Sequence, residues 1–235
     1  MTRTRPLLAA SCILLMGTEA QGAQAARSRP SAERQSDAFL AATGHRSAFT
    51  VVRDGEVITT SPVRILKLPF GLALLTKAEI KDGCHACKGA LGIHYLKLVR
   101  GHVSVAKSWP EAIEGWGWGA APRDWYMTDK FTRYPAVYSS GGYTGQGITE
   151  SSAFITELRP DGPVTSEVIH IGYTNEGAVD ESRACTVKGK ITNIRRDRSF
   201  DIVVTGSVHA VHRYGKRNGK FVAISKVDWD MGCGD

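Results

Sequence analysis

The stretch FTVVRDGEVITT, residues 49–60, carries the clearest structural signal in the chain. Two runs rich in β-branched and aromatic residues, FTVV and VITT, flank the four residues RDGE. Asp-Gly between such runs is a strong hairpin signal, because both residues tolerate the positive φ angles of a tight turn. The stretch therefore predicts two antiparallel strands joined by a short turn.

The same pattern of short strand-like runs and turn residues continues to the end of the chain. A short helix, AFLAAT (38–43), is predicted between the Ser36-Asp37 cap and Gly44, and no long amphipathic helix follows. The pattern predicts an all-β fold, an antiparallel meander that could be a sandwich, a barrel or a partial propeller. The runs are VRILKL (63–68), LALLTKAEI (72–80), GIHYLKLV (92–99), VSVAKS (103–108), FITEL (154–158), VTSEVIHI (164–171), HAVHRY (209–214) and FVAIS (221–225).

The N-terminus has the features of a secretory signal peptide. Arg3 and Arg5 precede an apolar run that is too short to cross a bilayer, and Ala23-Gln24-Ala25 has the small-x-small pattern of a cleavage site. The sequence predicts a signal peptide over 1–25, a flexible polar leader over 26–35 and a single β-rich domain over 36–235. No later run is apolar enough for a transmembrane helix, so the expected location is secreted or periplasmic.

The charge of the chain favours anionic surroundings. Residues 1–25 contain Arg3, Arg5 and Glu19, so removing them leaves 28 basic and 22 acidic residues and a formal charge of +6. This surplus is compatible with an anionic envelope partner. No arginine-rich run with interleaved aromatic residues is present, which makes nucleic acid an unlikely partner.

Cleavage would also remove Cys12 and leave four cysteines in an oxidising compartment: Cys84, Cys87, Cys185 and Cys233. An even number predicts two disulfides, for which three connectivities exist. The simplest of them joins Cys84 to Cys87 and Cys185 to Cys233.

The segment CHAC (84–87) admits two further interpretations. A thiol-redox site would need a helix after the first cysteine to stabilise its thiolate, whereas GALGIHYLKLV follows. Copper or zinc could be held by Cys84, His85 and Cys87, but a structural zinc site needs further ligands. A structural disulfide is the first interpretation, and redox or metal handling is the alternative.

CHAC followed by ALG, together with GGYTGQG at 141–147, resembles a set of small uncharacterised exported bacterial proteins. The resemblance covers about residues 80–205. No activity is established for those proteins, so it implies export and carries no catalytic residue to this chain. Within the chain, GYTGQGITESS (142–152) recurs as GYTNEGAVDES (172–182), which predicts two structural units with equivalent turns.

A tryptophan-rich segment, WPEAIEGWGWGAAPRDWY (109–126), offers the best candidate for a binding face. Trp116, Trp118 and Trp125 could be displayed on a surface loop, where flat rings stack on sugars or on partner side chains. They could instead cover the core as a lid, an interpretation favoured by the fact that tryptophan is mostly buried in folded domains.

The segment FDIVVTGSVHAVHRY (200–214) is too long for one strand, so Gly206 is predicted to mark a turn or a bulge. If it is a turn, the arginines near residue 196 and the basic residues near 216 lie at the same edge.

No arrangement of residues indicates catalysis, and no catalytic residue or cofactor is assigned. The sequence predicts an exported, disulfide-stabilised, non-enzymatic binding domain for an envelope glycan or protein. Thiol-redox or copper/zinc handling through CHAC is the alternative.

Overall fold

The structure is a computed structural model that describes residues 31–225 and 227–233. One helix, α1 (Ser31–Thr43), precedes the strands. The strands are β1 (Phe49–Arg53), β2 (Glu56–Leu68), β3 (Gly71–Ile80), β4 (Ala90–Val99), β5 (His102–Glu114), β6 (Asp124–Thr128), β7 (Ala136–Gly145), β8 (Ile148–Arg159), β9 (Gly162–Thr165), β10 (Ile169–Thr174), β11 (Thr186–Arg195), β12 (Ser199–Gly206), β13 (Ala210–Arg217) and β14 (Lys220–Ala223). The predicted all-β antiparallel class is confirmed.

The helix starts earlier than predicted. It begins at Ser31, so residues 31–35 are helical and do not belong to a flexible leader. These residues are mostly strong helix formers without an apolar stripe, and periodicity alone therefore misses them. The apolar side of α1 lies further on, where Ala38 and Phe39 are fully buried. The predicted signal peptide and residues 26–30 of the predicted leader lie outside the described residues.

A five-stranded antiparallel sheet has the order β1-β2-β3-β4-β5, and each strand pairs with the next one in sequence. The predicted first hairpin is present: Arg53 pairs with Glu56, and Asp54 and Gly55 have φ angles of 53° and 84°. Apolar side chains along β3 alternate between the two faces of this sheet. Leu74 packs with α1, whereas Ala73 and Leu75 point into the core on the other side.

The second sheet has the order β14-β13-β12-β11-β10-β8-β7-β6, with β9 paired to β8, and it curls into a half-barrel. Strands β7 and β8 have a buried residue on each face. Val137 and Leu158 pack with the five-stranded sheet, while Ala136 and Ile155 line the inside of the half-barrel. Two packed sheets, the larger of them curled, form a sandwich-like architecture, which is among the alternatives that the sequence left open.

The inside of the half-barrel is closed by the C-terminal segment Asp228–Cys233, which we call the strap. Met231 of the strap is fully buried among the strands, and Trp229 makes an edge contact with Tyr173 at 5.4 Å between ring centroids. The Cys185–Cys233 disulfide joins the end of the strap to the residue before β11.

Gly206 marks a turn. Strands β12 and β13 pair antiparallel from Ser199–Gly215 to Val204–Ala210, so the chain reverses between them. The basic residues around Arg196 and around Lys216 consequently lie at the same edge of the sheet.

Because neighbouring strands are antiparallel, the connections alternate between two ends of the molecule. We call the end with the β3–β4, β5–β6, β7–β8 and β10–β11 connections the CHAC end, and the end with the β6–β7, β8–β9, β11–β12 and β13–β14 connections the basic end. Within residues 31–225 and 227–233, no helix has the length and apolar character needed to span a membrane.

Candidate functional site: an aromatic cluster on the CHAC loop

The CHAC loop, residues 81–89, connects β3 to β4 and contains one of the two disulfides. Cys84 is bonded to Cys87, and the Cys87 amide donates to the Cys84 carbonyl at 2.9 Å, which closes a tight turn. With the Cys185–Cys233 bond, both predicted disulfides are confirmed. Of the two residues between the cysteines, His85 and Ala86, the turn places His85 against Trp118 and Tyr143.

The tryptophan-rich loop after β5 docks on the CHAC loop through main-chain contacts. Gly119 donates its amide to the Cys87 carbonyl and accepts from the Ile80 amide, both at 2.8 Å. The loops approach so closely that a Cβ atom on Gly83 would lie 2.7 Å from the Cα of Gly119. Glycine is therefore required at this crossing, and the two segments form one surface.

His85 lies between two aromatic side chains from other parts of the chain. Its Nε2 donates to the Thr144 carbonyl at 2.9 Å, since a carbonyl oxygen can only accept. Nδ1 lies 2.9 Å from the Tyr143 hydroxyl, which donates to it in the neutral imidazole. The His85 ring is 4.3 Å from the ring of Tyr143 and 4.6 Å from that of Trp118, centroid to centroid. We call His85, Trp118 and Tyr143 the aromatic cluster.

Trp118 is the most exposed member of the cluster, with 66% of its surface accessible. Its backbone has φ of 56°, in the left-handed region that a bulky side chain rarely adopts. That conformation costs an L-residue roughly 1–2 kcal/mol. Trp118 thus combines an exposed apolar ring with an unfavourable backbone conformation. Neither feature stabilises the fold, which points to a functional reason for this residue.

Trp116, two residues earlier, has a different environment. Its ring packs 5.7 Å from the ring of Phe154 and lies against the Gly141 backbone. A Cβ atom on Gly141 would be 2.4 Å from the indole, so the glycine makes room for the ring. Trp116 is therefore half-buried and does not present its ring as Trp118 does.

Trp125 lies on β6, away from the aromatic cluster. It packs against the core between the two sheets, and the Arg64 guanidinium lies 4.7 Å from its ring centroid. Of the three tryptophans predicted to bind a ligand, only Trp118 presents its ring at the CHAC end. The other two members of the cluster, His85 and Tyr143, lie within the CHAC and GGYTGQG motifs, but no local pattern in the sequence connects the two motifs.

The surroundings of CHAC give the redox and metal alternative little support. The Glu56 carboxylate lies 3.3 Å from the Cys87 sulfur, where it would disfavour a thiolate, and strand β4 follows the loop. Both nitrogens of His85 face Tyr143 and Thr144. Among the residues that the structure describes, no group of three or more His, Cys, Asp or Glu side chains could hold a metal ion.

The two copies of the repeated motif touch each other. The Gly177 amide donates to the Gly147 carbonyl at 3.1 Å, and Glu150 pairs with Tyr143 on one side and with Tyr173 on the other. Burial raises the pKa of Glu150. The second copy thus braces the hairpin that presents Tyr143.

A hydrogen-bonded group of three polar side chains lies on the face of the five-stranded sheet that α1 covers. His94 bonds to Thr76 through Nε2 at 3.1 Å and to Ser108 through Nδ1 at 2.8 Å, beside a groove of about 260 Å³. Burial lowers the pKa of His94 to about 4. An imidazole with that pKa is a weak base at neutral pH and is poorly suited to activate Ser108. These hydrogen bonds therefore serve to satisfy polar groups that are buried in the fold.

Comparisons with protein-family models, with curated proteins and with solved structures found no match.

Proposed function

We propose that this protein is an exported binding protein that holds an envelope glycan on the aromatic cluster at the CHAC end. The observation that carries the proposal is Trp118, whose ring is displayed on a conformation that costs stability. A displayed, preorganised ring offers contact area at a small cost in conformational entropy.

The chemistry around Trp118 suits a sugar. A pyranose presents an apolar face that stacks on an indole and hydroxyl groups that exchange hydrogen bonds at its rim. The Tyr143 hydroxyl and the His85 imidazole supply such groups beside the ring. A stable protein partner would need about 800 Å² on each side, whereas the cluster offers two exposed rings, Trp118 and Tyr143.

The disulfides support the same assignment. Two disulfides are formed, which fits an oxidising compartment such as the periplasm or the extracellular space. There, the glycans of the envelope are the abundant ligands within reach of an exposed aromatic surface.

The test is the substitution Trp118→Gly. Glycine accepts the positive φ, so the free energy of unfolding should stay unchanged or rise by about 1 kcal/mol. Binding should weaken by about tenfold, the equivalent of one stacked ring. Affinity is measured with peptidoglycan sacculi, chitin and arrayed bacterial polysaccharides, and stability by urea unfolding.

The matched control is Tyr126→Ala, which removes another exposed aromatic ring, on β6. It should leave glycan binding unchanged. The proposal fails if the wild type retains none of these glycans, or if Trp118→Gly binds as tightly as the wild type. It fails equally if Tyr126→Ala weakens binding as much as Trp118→Gly does.

A further inference from the structure

The basic end carries a group of exposed arginines that the proposed function does not use. We call it the arginine patch; its members are Arg133, Arg195, Arg196, Arg198 and Arg217. The three connections that hold it touch one another. Arg196 donates to the carbonyls of Thr132 at 2.9 Å and Arg133 at 3.0 Å, and the Lys216 amide donates to the Arg198 carbonyl at 2.8 Å.

The carboxylates nearest to the patch are already paired with other cations. Buried Glu157 binds Arg159 at 2.6 Å and Lys216 at 2.9 Å, and Asp197 also binds Lys216. Across residues 31–225 and 227–233, no ion pair within 4.0 Å includes a member of the patch. Asp129 and Asp161 also lie at this end, but Lys67, Lys97, Lys107 and Lys130 outnumber them. The patch thus keeps an excess of positive charge.

Exposed apolar side chains lie at the same end, on the tips of the five-stranded sheet. We call Phe70, Leu98 and Val99 the apolar tip; 68% of Leu98 is accessible. Phe70 and Leu98 line one apolar groove of about 390 Å³. The tip is continuous with the patch, because the Phe70 ring lies 6.0 Å from that of Tyr134, and the Arg133 guanidinium lies 5.9 Å from the Tyr134 centroid.

We propose that the basic end docks on an anionic lipid bilayer, with the arginine patch on lipid phosphates and the apolar tip among the acyl chains. Guanidinium groups match phosphate with paired hydrogen bonds, and basic residues near a membrane are drawn to anionic lipid. A soluble polyanion would satisfy the arginines but has no apolar interior for Leu98 and Val99. The combination of both features at one end is what favours a bilayer.

Such docking would leave the CHAC end, where Trp118 lies, on the side away from the membrane. The inference does not rest on glycan binding, because it concerns the opposite end of the molecule and a different ligand.

The test is sedimentation with vesicles of phosphatidylglycerol and phosphatidylethanolamine in equal parts, compared with vesicles of phosphatidylcholine alone. The variant Arg195→Gln/Arg198→Gln/Arg217→Gln should bind the anionic vesicles on the order of 100-fold more weakly than the wild type. The control Lys81→Gln/Arg123→Gln/Arg183→Gln makes the same change in net charge at the CHAC end and should bind within a few-fold of the wild type. Arg196 is left in place because its hydrogen bonds hold the turn.

The variant Leu98→Ser/Val99→Ser separates lipid from soluble polyanions. It should bind the anionic vesicles several-fold more weakly than the wild type and elute from heparin-agarose at the same salt concentration as the wild type. The proposal is overturned if the wild type does not sediment with anionic vesicles, or binds both vesicle types equally. Equal losses in the two charge variants, or full vesicle binding by Leu98→Ser/Val99→Ser, would overturn it as well.

Discussion

The CHAC loop and the strap are two short segments without strands of their own, and each is held by a disulfide. The strap closes a core: Met231 is fully buried, and Cys233 is bonded to Cys185 across 48 residues. The Cys84–Cys87 bond closes only its own turn, with a sequence separation of three, and the CHAC loop presents His85 beside the exposed ring of Trp118. The same covalent bond therefore stabilises a fold in one region and shapes a surface in the other.

The length of the loop that a disulfide closes determines what the bond contributes. A long loop restricts the unfolded chain strongly, so its closure stabilises the native state. A short loop restricts the unfolded chain little, and its main effect is to fix a local conformation. The two bonds should consequently respond differently to removal.

The largest effect is expected at the strap. Replacing both cysteines, Cys185→Ser with Cys233→Ser, should lower the free energy of unfolding by about 4 kcal/mol, because the closed loop spans 48 residues. Urea unfolding of the oxidised wild type and the double variant measures it. A loss below about 1 kcal/mol would show that packing of Met231 alone holds the strap and would remove the distinction between the two bonds.

The second-largest effect is expected on acidification, through buried His94 and half-buried His170 and His212. Burial lowers the pKa of His94 to about 4, and burial also lowers the pKa of His170 and His212. The folded state therefore binds fewer protons than the unfolded state below pH 6.5, so stability present at neutral pH is lost as the pH falls toward 4. His94 alone should contribute about 2–3 kcal/mol between pH 6.5 and 4.5.

The measurement is urea unfolding at pH 7 and pH 4.5 for the wild type and for His94→Asn. The variant should show a shallower dependence on pH, whatever its stability at pH 7. If the free energy of unfolding depends equally on pH in both proteins, His94 titrates in the folded protein as it does in the unfolded chain. Local opening would then expose its ring to water.

The smallest effect on stability is expected at CHAC. Replacing both cysteines, Cys84→Ser with Cys87→Ser, should cost no more than about 2 kcal/mol, the value for a loop of this length. The free energy of glycan binding should lose a larger fraction of its value than the free energy of unfolding, because the turn that holds His85 between Trp118 and Tyr143 is lost. A stability loss matching that of the strap variant, with binding retained, would invert the comparison.

Local patterns identified most of the strands and the short-range disulfide, but β6, β7 and β11 lie outside the predicted runs. Alternation on β3 and the Asp54-Gly55 turn depend on neighbours in sequence, as does the pairing of Cys84 with Cys87. The same locality explains the misplaced start of α1, since residues 31–35 owe their helix to backbone preference and leave no apolar pattern.

The aromatic cluster required the tertiary structure. His85 and Trp118 come from two connections and Tyr143 from the last part of β7, and the three meet only because antiparallel pairing brings these segments to one end of two packed sheets. Sequence could not separate Trp116 from Trp118 either, because the difference lies in the space that Gly141 leaves for one ring and in the positive φ of the other. Side-chain alternation and turn chemistry in the sequence alone specify the all-β class and most of the strands. Which of its aromatic and basic residues meet on a common surface was decided by sheet packing, a long-range property that no local pattern encodes.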